Sequence, residues 1–308
     1  MNDNGLLGLF PGQGAQAVGM GKDLHAASEI AQSIFATADK ALGFSLSSIC
    51  FEGPAEKLTS TAIAQPAILT MSTICFEMAK QNLPTLTLSA ASGHSLGEYS
   101  ALVAAGALKF EDAVVLVNKR GRYMQEAVPA GQGKMVAVLG KETSEIESAL
   151  AKVSGAVAQI ANINSPGQIV VAGSVAGVDE FLKHLGAAKA VPLPVSAPFH
   201  CSLMKPAEEN LAKDLKHLDI KAATCPIFSN FSARALQSPE EIREALRLQV
   251  CGRVRWVECM ENAVSQMSIT TAVEFGPGAV LTGLLKRIKP EVKRINVNSL
   301  ESTKLSLS

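Results

Sequence analysis

Apolar residues fall either into short runs that end at glycine-rich turns or into longer stretches with helical spacing. Gly5 to Phe10 is an apolar run that stops at Pro11-Gly12-Gln13-Gly14, which predicts a buried strand entering a tight turn. Residues 89–92 lead into Gly93-His94-Ser95-Leu96-Gly97, and an Ala/Leu/Val-rich helix is predicted over 97–105. A strand, a glycine turn and a helix in this order are typical of a doubly wound α/β fold.

The α/β pattern continues along most of the chain, with one interruption. Helices are predicted at 19–42, 67–81, 110–124, 203–215, 239–248 and 279–288, and strands at 227–230 and 272–275. Between them, strands at 135–139, 157–162, 168–172 and 190–195 and helices at 142–153 and 178–185 give the order β-α-β-β-α-β. That order is typical of a ferredoxin-like unit. We therefore predict a large subdomain over 1–128 and 197–308, with a small ferredoxin-like subdomain inserted at 129–196.

The composition narrows the function classes. Hydrophobic residues make up 47% of the 308 residues, and Lys+Arg and Asp+Glu balance at 28 each, which argues against nucleic acid as a partner. The six cysteines are scattered without ligand spacing, so neither a zinc site nor a disulfide framework is expected. We see no signal peptide, and glycine, proline or charge interrupts the apolar stretches short of a membrane span. We expect a soluble, cytoplasmic protein that binds no metal.

Gly93-His94-Ser95-Leu96-Gly97 matches the G-x-S-x-G pattern of a nucleophile elbow. A serine on a sharp strand-to-helix turn has a strained backbone, and side chains two residues away on either side would clash, so both neighbours must be glycine. The turn also leaves the amide of Leu96, at the start of the next helix, free to donate to an oxyanion. The alternative is a tight Gly-Ser turn without chemistry.

A serine needs a base to be nucleophilic at neutral pH. His25, His184 and His217 lie in predicted helices among charged neighbours, which indicates exposed positions, and His94 is too near Ser95 in sequence to fold back easily. His200 remains, at the boundary where the small subdomain returns to the large one. We favour it as the base over the alternative of a histidine that is simply hydrogen-bonded in the core.

No carboxylate is well placed to orient His200. Asp112, Asp179 and Glu180 all fall within helical patterns. A histidine oriented by a backbone carbonyl would be a weaker base that activates water less readily. We therefore hypothesise an enzyme that transfers an acyl group and avoids hydrolysis.

Arg120 lies at the edge of the apolar stripe of the helix predicted over 110–124. A guanidinium in that position is well shaped to hold a carboxylate through two parallel hydrogen bonds. The alternative is a surface arginine beside Lys119 and Arg122.

Seven motifs in order resemble the malonyl-CoA:acyl-carrier-protein transacylases of bacterial fatty-acid synthesis. The resemblance extends from about residue 6 to 298. The motifs are Phe10-Pro11-Gly12-Gln13-Gly14, Gln65-Pro66-Ala67, the run from Gly93 to Leu102, Arg120-Gly121, the run from Asn162 to Gln168, Pro198-Phe199-His200-Cys201 and Glu274-Phe275-Gly276-Pro277-Gly278.

The resemblance implies an α/β fold in which an α/β-hydrolase-like large subdomain carries the ferredoxin-like small one. It implies Ser95 as nucleophile and His200 as base, with Arg120 holding the malonyl carboxylate. It also implies an oxyanion hole formed by the backbone amides of Gln13 and Leu96. In the family a glutamine main-chain carbonyl orients the histidine, and Gln249 matches that position, which would explain the missing acid.

The implied reaction has malonyl-CoA and acyl carrier protein as its partners. Coenzyme A enters as a thioester substrate, no cofactor is expected, and we expect a monomer. Phe199 before His200 is the residue found in malonyl-selective acyltransferases of polyketide synthesis. One departure lies close to Gln249, where Arg253 stands in place of the usual proline.

Three other functions stay open from the sequence. A serine esterase or thioesterase on a related scaffold would not need Arg120. A free-standing acyltransferase for a polyketide or polyunsaturated-lipid synthase would differ only in its carrier. A carrier-docking scaffold without catalysis is disfavoured because Ser95, His200 and Arg120 are all present.

Overall fold

A computed structural model describes residues 5–195 and 197–307. The predictions for residues 1–4 and 308 of the large subdomain, and for residue 196 at the end of the small one, lie outside the described residues. The helices are α1 (Lys22–Ala27), α2 (Glu29–Leu42), α3 (Leu46–Glu52), α4 (Ala55–Thr59), α5 (Thr61–Asn82), α6 (Gly97–Ala104), α7 (Phe110–Glu126), α8 (Thr143–Leu150), α9 (Val175–Leu185), α10 (Lys205–His217), α11 (Pro239–Gln249), α12 (Trp256–Gln266) and α13 (Val280–Ile288). The strands are β1 (Gly5–Phe10), β2 (Ala90–Gly93), β3 (Gly133–Leu139), β4 (Ala158–Ser165), β5 (Gln168–Ser174), β6 (Lys189–Pro192), β7 (Ile227–Phe228), β8 (Ala235–Leu236), β9 (Ile269–Phe275) and β10 (Lys293–Val297).

The larger sheet has the order β10-β9-β1-β2-β7-β8 and is parallel except for its last pair. Strand β1 lies in its middle and is buried along its whole length. Because successive side chains of a strand point to opposite faces, Leu7 and Leu9 pack with α12 and α13, while Leu6 and Phe10 pack on the other face among residues of α2 and α5. Helices on both faces explain why the strand is apolar without alternation.

The smaller sheet is antiparallel with the order β4-β5-β3-β6, and α8 and α9 cover one of its faces. Its other face presents Met135 and Val170 to the main core cluster, toward the large subdomain. The prediction of an α/β fold with a separate ferredoxin-like sheet is confirmed. All four strands fall within 129–196, while the exact subdomain boundaries stay a prediction.

Several elements differ from the prediction. The helix expected over 19–42 begins at Lys22 and is broken at Ser28, whose backbone is extended, into α1 and α2. The helix expected over 97–105 ends at Ala104 and has only eight residues. Helices α3, α4 and α12 and strands β8 and β10 were not predicted. Strand β10 (Lys293–Val297) lies at the sheet edge, where polar residues obscure an apolar pattern.

Helix α5 corrects the expectation that every apolar stretch stops short of a membrane span. In the described ranges this helix alone has the length and apolar composition of a membrane span, and 83% of the relevant stretch is buried inside the protein. The helices α2 and α3 meet the same criterion only if they are taken together as one bent pair. A core helix of a soluble protein meets it equally well, and α5 packs against α2, α6 and α7.

Candidate active site

Ser95 lies on the turn between β2 and α6, at the carboxyl edge of the parallel sheet, where α/β folds place their ligands. Its φ of 52° is in the left-handed region, which is strained for a residue with a side chain. A Cβ on Gly93 would lie 1.9 Å from the carbonyl carbon of Gly97, and a Cβ on Gly97 would lie 2.0 Å from the carbonyl oxygen of Phe10. The two glycines are therefore required by backbone contact, as the elbow interpretation predicts.

Asn230, just beyond β7, holds this turn in place. Its Oδ1 accepts a hydrogen bond from the Ser95 amide at 2.6 Å, and its Nδ2 donates to the Gly93 carbonyl at 2.8 Å. The side chain is fully buried. One carboxamide thus satisfies two backbone groups of the strained turn that no regular secondary structure would satisfy.

His200 lies within hydrogen-bond distance of the serine. Its Nε2 is 2.8 Å from Ser95 Oγ, and its Nδ1 is 2.9 Å from the main-chain carbonyl oxygen of Gln249. Because a carbonyl only accepts, Nδ1 carries the hydrogen and Nε2 presents a lone pair to the serine hydroxyl. Burial and the nearby Arg120 cation lower the pKa of His200 to about 3, so the imidazole is neutral and able to take a proton at neutral pH.

Arg120 is buried, with 1% of its surface exposed, so the alternative of a surface arginine is wrong. Its Nη1 donates to Gln65 Oε1 at 2.7 Å, and its Nη2 donates to Gln249 Oε1 at 2.9 Å and to Ser95 Oγ at 3.1 Å. Its Nε has no acceptor among the described residues. Burial lowers the pKa of the guanidinium, but its ordinary value is so high that it stays a cation. A positive charge therefore lies directly beside the Ser95 hydroxyl.

Gln13 and Leu96 both line the cavity around Ser95. Leu96 immediately precedes α6, where backbone N–H groups have no partner within the helix, and Gln13 follows β1 in the adjacent glycine-rich turn. In the described part of the chain neither amide has a hydrogen-bond acceptor. Two free donors beside the serine are what an oxyanion hole requires.

The segment after Gln249 pairs with the small sheet. Val254 donates its amide to the Ala161 carbonyl at 2.7 Å and accepts from the Ile163 amide at 3.0 Å. The side chain of Arg253, 40% exposed, lies 3.7 Å from the Glu147 carboxylate on α8. The residue that replaces the usual proline thus faces the small subdomain, while the Gln249 carbonyl remains bonded to His200.

Two adjoining cavities open between the subdomains. The larger, of about 460 Å³, is lined by Ser95, His200 and Arg120 from the large subdomain and by residues such as Val170 from the small sheet. The smaller, of about 250 Å³, shares with it the residues Gln13, Gly14, His94 and Asn164. An elongated acyl thioester could therefore reach Ser95 along this cleft.

The other candidate side chains lie elsewhere. His184 and His217 are exposed as predicted, but His25 is half-buried, with its ring 5.2 Å from that of Phe51. Asp112 lies on α7, and Asp179 and Glu180 lie on α9, where Asp179 pairs with Lys134. All six cysteines are free, and the described residues contain no cluster of three or more His, Cys, Asp or Glu able to hold a metal ion.

Sequence reasoning missed three buried residues of the site: Asn230, Glu98 and Gln65. Asn230 ended a predicted strand. Because the carboxyl ends of neighbouring parallel strands meet at one edge of the sheet, this position could have indicated a residue near Ser95. Glu98 was the only charge in an otherwise apolar helix pattern, and such a charge must have a partner. Gln65 belonged to a recognised motif but had no role assigned to it.

The chain is similar to known acyltransferases in sequence and in fold. The family model described as acyl transferase domain matches residues 9–299. A malonyl CoA-acyl carrier protein transacylase of Bacillus subtilis is 46% identical over 304 residues, covering 97% of this chain and 95% of that protein. An acyl carrier protein S-malonyltransferase structure from Vibrio cholerae superposes with a TM-score of 0.93 at 42% identity, covering 96% of this chain and 98% of that one. A malonyl-transacylase solved in complex with a type II PKS acyl-carrier protein has a TM-score of 0.93 at 40% identity, with 97% of each chain covered.

Proposed function

This chain belongs to the acyl transferase domain family, and we propose that it transfers malonyl from malonyl-CoA to the phosphopantetheine thiol of acyl carrier protein. The proposed pathway is fatty-acid biosynthesis, and the proposed intermediate is a malonyl ester of Ser95. A relative at 46% identity that carries this activity in its name supports the proposal, as does a related transacylase solved with its carrier protein.

The observation that carries the proposal is the bond from Arg120 Nη2 to Ser95 Oγ, 3.1 Å long. A buried cation is costly unless it is paired, and the direct hydrogen-bond partners of Arg120 here are two neutral amides and a hydroxyl. A malonyl group on Ser95 brings a carboxylate one methylene away from its acyl carbonyl. That carboxylate would bring a negative charge into direct contact with the guanidinium, whereas an acetyl group would not.

In the first half of the reaction, Ser95 Oγ attacks the thioester carbonyl carbon and its proton passes to His200 Nε2. The amides of Gln13 and Leu96 donate to the oxyanion of the tetrahedral intermediate. The carbon–sulfur bond then breaks, and the departing coenzyme A sulfur takes the proton from His200. A single oxyanion donor is worth about a hundredfold or more in rate.

In the second half, the thiol of the carrier arm gives its proton to His200 and attacks the ester carbonyl carbon. The bond to Ser95 Oγ breaks, and the serine recovers the proton. Between the halves the malonyl ester waits with its carboxylate on Arg120. Since His200 is oriented by the carbonyl of Gln249 and has no carboxylate on Nδ1, the histidinium form gains less stabilisation, which disfavours activation of water.

The proposal also covers the cofactor requirement, the oligomeric state and the cellular location. The enzyme would need no resident cofactor, because coenzyme A arrives and leaves with the substrate. We propose that it acts as a cytoplasmic monomer that binds neither nucleic acid nor a membrane. The cleft between the subdomains would receive the pantetheine arm of either coenzyme A or the carrier.

Mass spectrometry after incubation with malonyl-CoA tests the central step. We expect a malonyl adduct on the peptide that contains Ser95, no adduct in Ser95→Ala, and loss of the adduct when phosphopantetheinylated carrier protein is added. A fatty-acid carrier and a polyketide carrier should be compared in parallel, since their relative rates identify the pathway served. A wild-type enzyme that forms no adduct, or whose adduct only hydrolyses with both carriers, would refute the proposal.

A further inference from the structure

Glu98 is a buried carboxylate next to the active site that the reaction itself does not use. It lies three residues after Ser95 on α6, with 2% of its surface exposed. The rest of its helix, Gly97–Ala104, carries no other charged residue. A carboxylate in such surroundings costs several kcal/mol unless its oxygens are hydrogen-bonded, so its retention beside the nucleophile needs a reason.

The contacts of Glu98 connect it to two residues that hold the catalytic groups. Its Oε2 accepts a hydrogen bond from the Asn230 amide at 2.9 Å and another from Gln249 Nε2 at 2.8 Å. Asn230 holds the turn that carries Ser95. Gln249 contacts His200 through its main chain and Arg120 through its side chain.

The NH2 end of the Gln249 carboxamide faces hydrogen-bond acceptors, and its oxygen end faces a donor. Its Nε2 donates to two acceptors, Glu98 Oε2 and the Ser95 carbonyl oxygen, the latter at 3.0 Å. Its Oε1 accepts from Arg120 Nη2 at 2.9 Å. A flipped amide would point its NH2 group at the guanidinium and its oxygen at two acceptors. Glu98 therefore supplies one of the two contacts that determine which end of the amide Arg120 meets.

We propose that Glu98 is a positioning residue for acyl selection: by accepting from Gln249 Nε2 it keeps Gln249 Oε1 on Arg120 and so keeps the guanidinium at Ser95. The inference rests on the proposed function, because it assigns Arg120 to the malonyl carboxylate. Glu98 is not among the residues that line the cavity around Ser95, so it acts through Gln249.

The hydrogen bonds do not depend on a negative charge on Glu98. Both N–H groups are directed at Oε2, so a proton on Oε1 would leave these two hydrogen bonds in place. Burial raises the pKa of Glu98 to about 7. The two hydrogen bonds can form both above that pH, with Glu98 ionised, and below it, with Glu98 protonated. A glutamine at position 98 can offer one oxygen to the same two donors, which makes Glu98→Gln the matched control for Glu98→Ala.

The test is a double-mutant cycle with Glu98→Ala, Arg120→Ala and the combined variant, next to wild type and Glu98→Gln. For each enzyme, kcat/KM is measured for loading of Ser95 from malonyl-CoA and from acetyl-CoA. We expect Glu98→Ala to lower the malonyl-to-acetyl ratio at least tenfold, and Glu98→Gln to keep it within about threefold of wild type. In the Arg120→Ala background, Glu98→Ala should leave the ratio unchanged, because the residue through which it acts is gone.

Three results would overturn the inference: equal loss of both acyl groups in Glu98→Ala, an equally low ratio in Glu98→Gln, or a further drop of the ratio in the Arg120→Ala background. If Glu98→Ala does not fold, Glu98→Asp, which shortens the reach to Gln249 and keeps the carboxylate, replaces it with the same expectations. Failure of the proposed function would look different, since wild type itself would then show no preference for malonyl.

Discussion

The Arg120 cation should lower the pKa of His200 by an amount that follows from the distance between them and can be measured. Ser95 Oγ is hydrogen-bonded to Arg120 Nη2 at 3.1 Å and to His200 Nε2 at 2.8 Å, so the two nitrogens are at most about 6 Å apart. At an effective dielectric constant of about 20, a unit charge at that distance disfavours the histidinium by about 3 kcal/mol, or about two pKa units. Burial is the largest cause of the lowering to about 3, and the Arg120 cation is the second.

Replacing Arg120 by alanine should therefore raise the pKa of His200 by about two units. Because the base must be neutral, the acid limb of acetyl transfer should move to higher pH by the same amount. Acetyl-CoA is the appropriate substrate, since its loading does not require a carboxylate to bind. The pKa itself can be measured by NMR titration of the histidine side chains.

Two control variants separate charge from loss of burial. Arg120→Lys keeps a cation while admitting water, and should keep the pKa of His200 low. Arg122→Ala removes an exposed cation from the same helix and should change nothing. If Arg120→Lys raises the pKa as much as Arg120→Ala does, or if neither raises it by half a unit, the electrostatic reasoning is refuted.

Further variants test the supports of the site. Asn230→Ala leaves the Ser95 amide and the Gly93 carbonyl without this partner and should lower the free energy of unfolding in urea by about 2–5 kcal/mol. It should also lower kcat, and an unchanged kcat would show that the turn keeps its shape without Asn230. Gly97→Ala places a Cβ 2.0 Å from the Phe10 carbonyl oxygen and should prevent folding or cost more than about 4 kcal/mol, whereas Gly283→Ala, with no atom within 4 Å, should be neutral or stabilising in the same assay. The pKa of His200 is lowered in the folded state, so the unfolded chain binds the proton first as the pH falls below 6.5. Between pH 7 and pH 5 the free energy of unfolding of the wild type should therefore fall by about 2 kcal/mol relative to that of His200→Asn. Equal pH dependence of the two unfolding midpoints would contradict this.

The features that were predictable from sequence are those set by local contacts. The buried strand β1 follows from a run of apolar residues, and the elbow follows from glycines two positions either side of Ser95, where a Cβ would meet the backbone at 2.0 Å or less. The small sheet follows from its β-α-β-β-α-β order. In each case the determining residues are close neighbours in the chain, so their pattern can be recognised without the fold.

The arrangement of the site depended on contacts between distant segments. Helical spacing placed Arg120 at the edge of an apolar stripe, and only the packing of α7 against α5 decides that this edge is buried. The partner of His200 is a main-chain carbonyl, which every residue possesses, so spacing alone cannot single it out. The assignment of Gln249 came from family resemblance and not from its own chemistry.

Asn230 and Glu98 show most clearly that sequence alone does not reveal contacts between distant segments. Asn230 reaches the elbow across 135 positions, and Gln249 reaches Glu98 across 151. Their meeting depends on β7 lying beside β2 and on α11 ending next to the elbow. Sequence by itself identified Ser95 as the candidate nucleophile and explained why the residues two positions away are glycine. Tertiary structure decided which buried polar groups hold it, because a hydrogen bond between distant segments exists only once strand order and helix packing have brought the donor and the acceptor together.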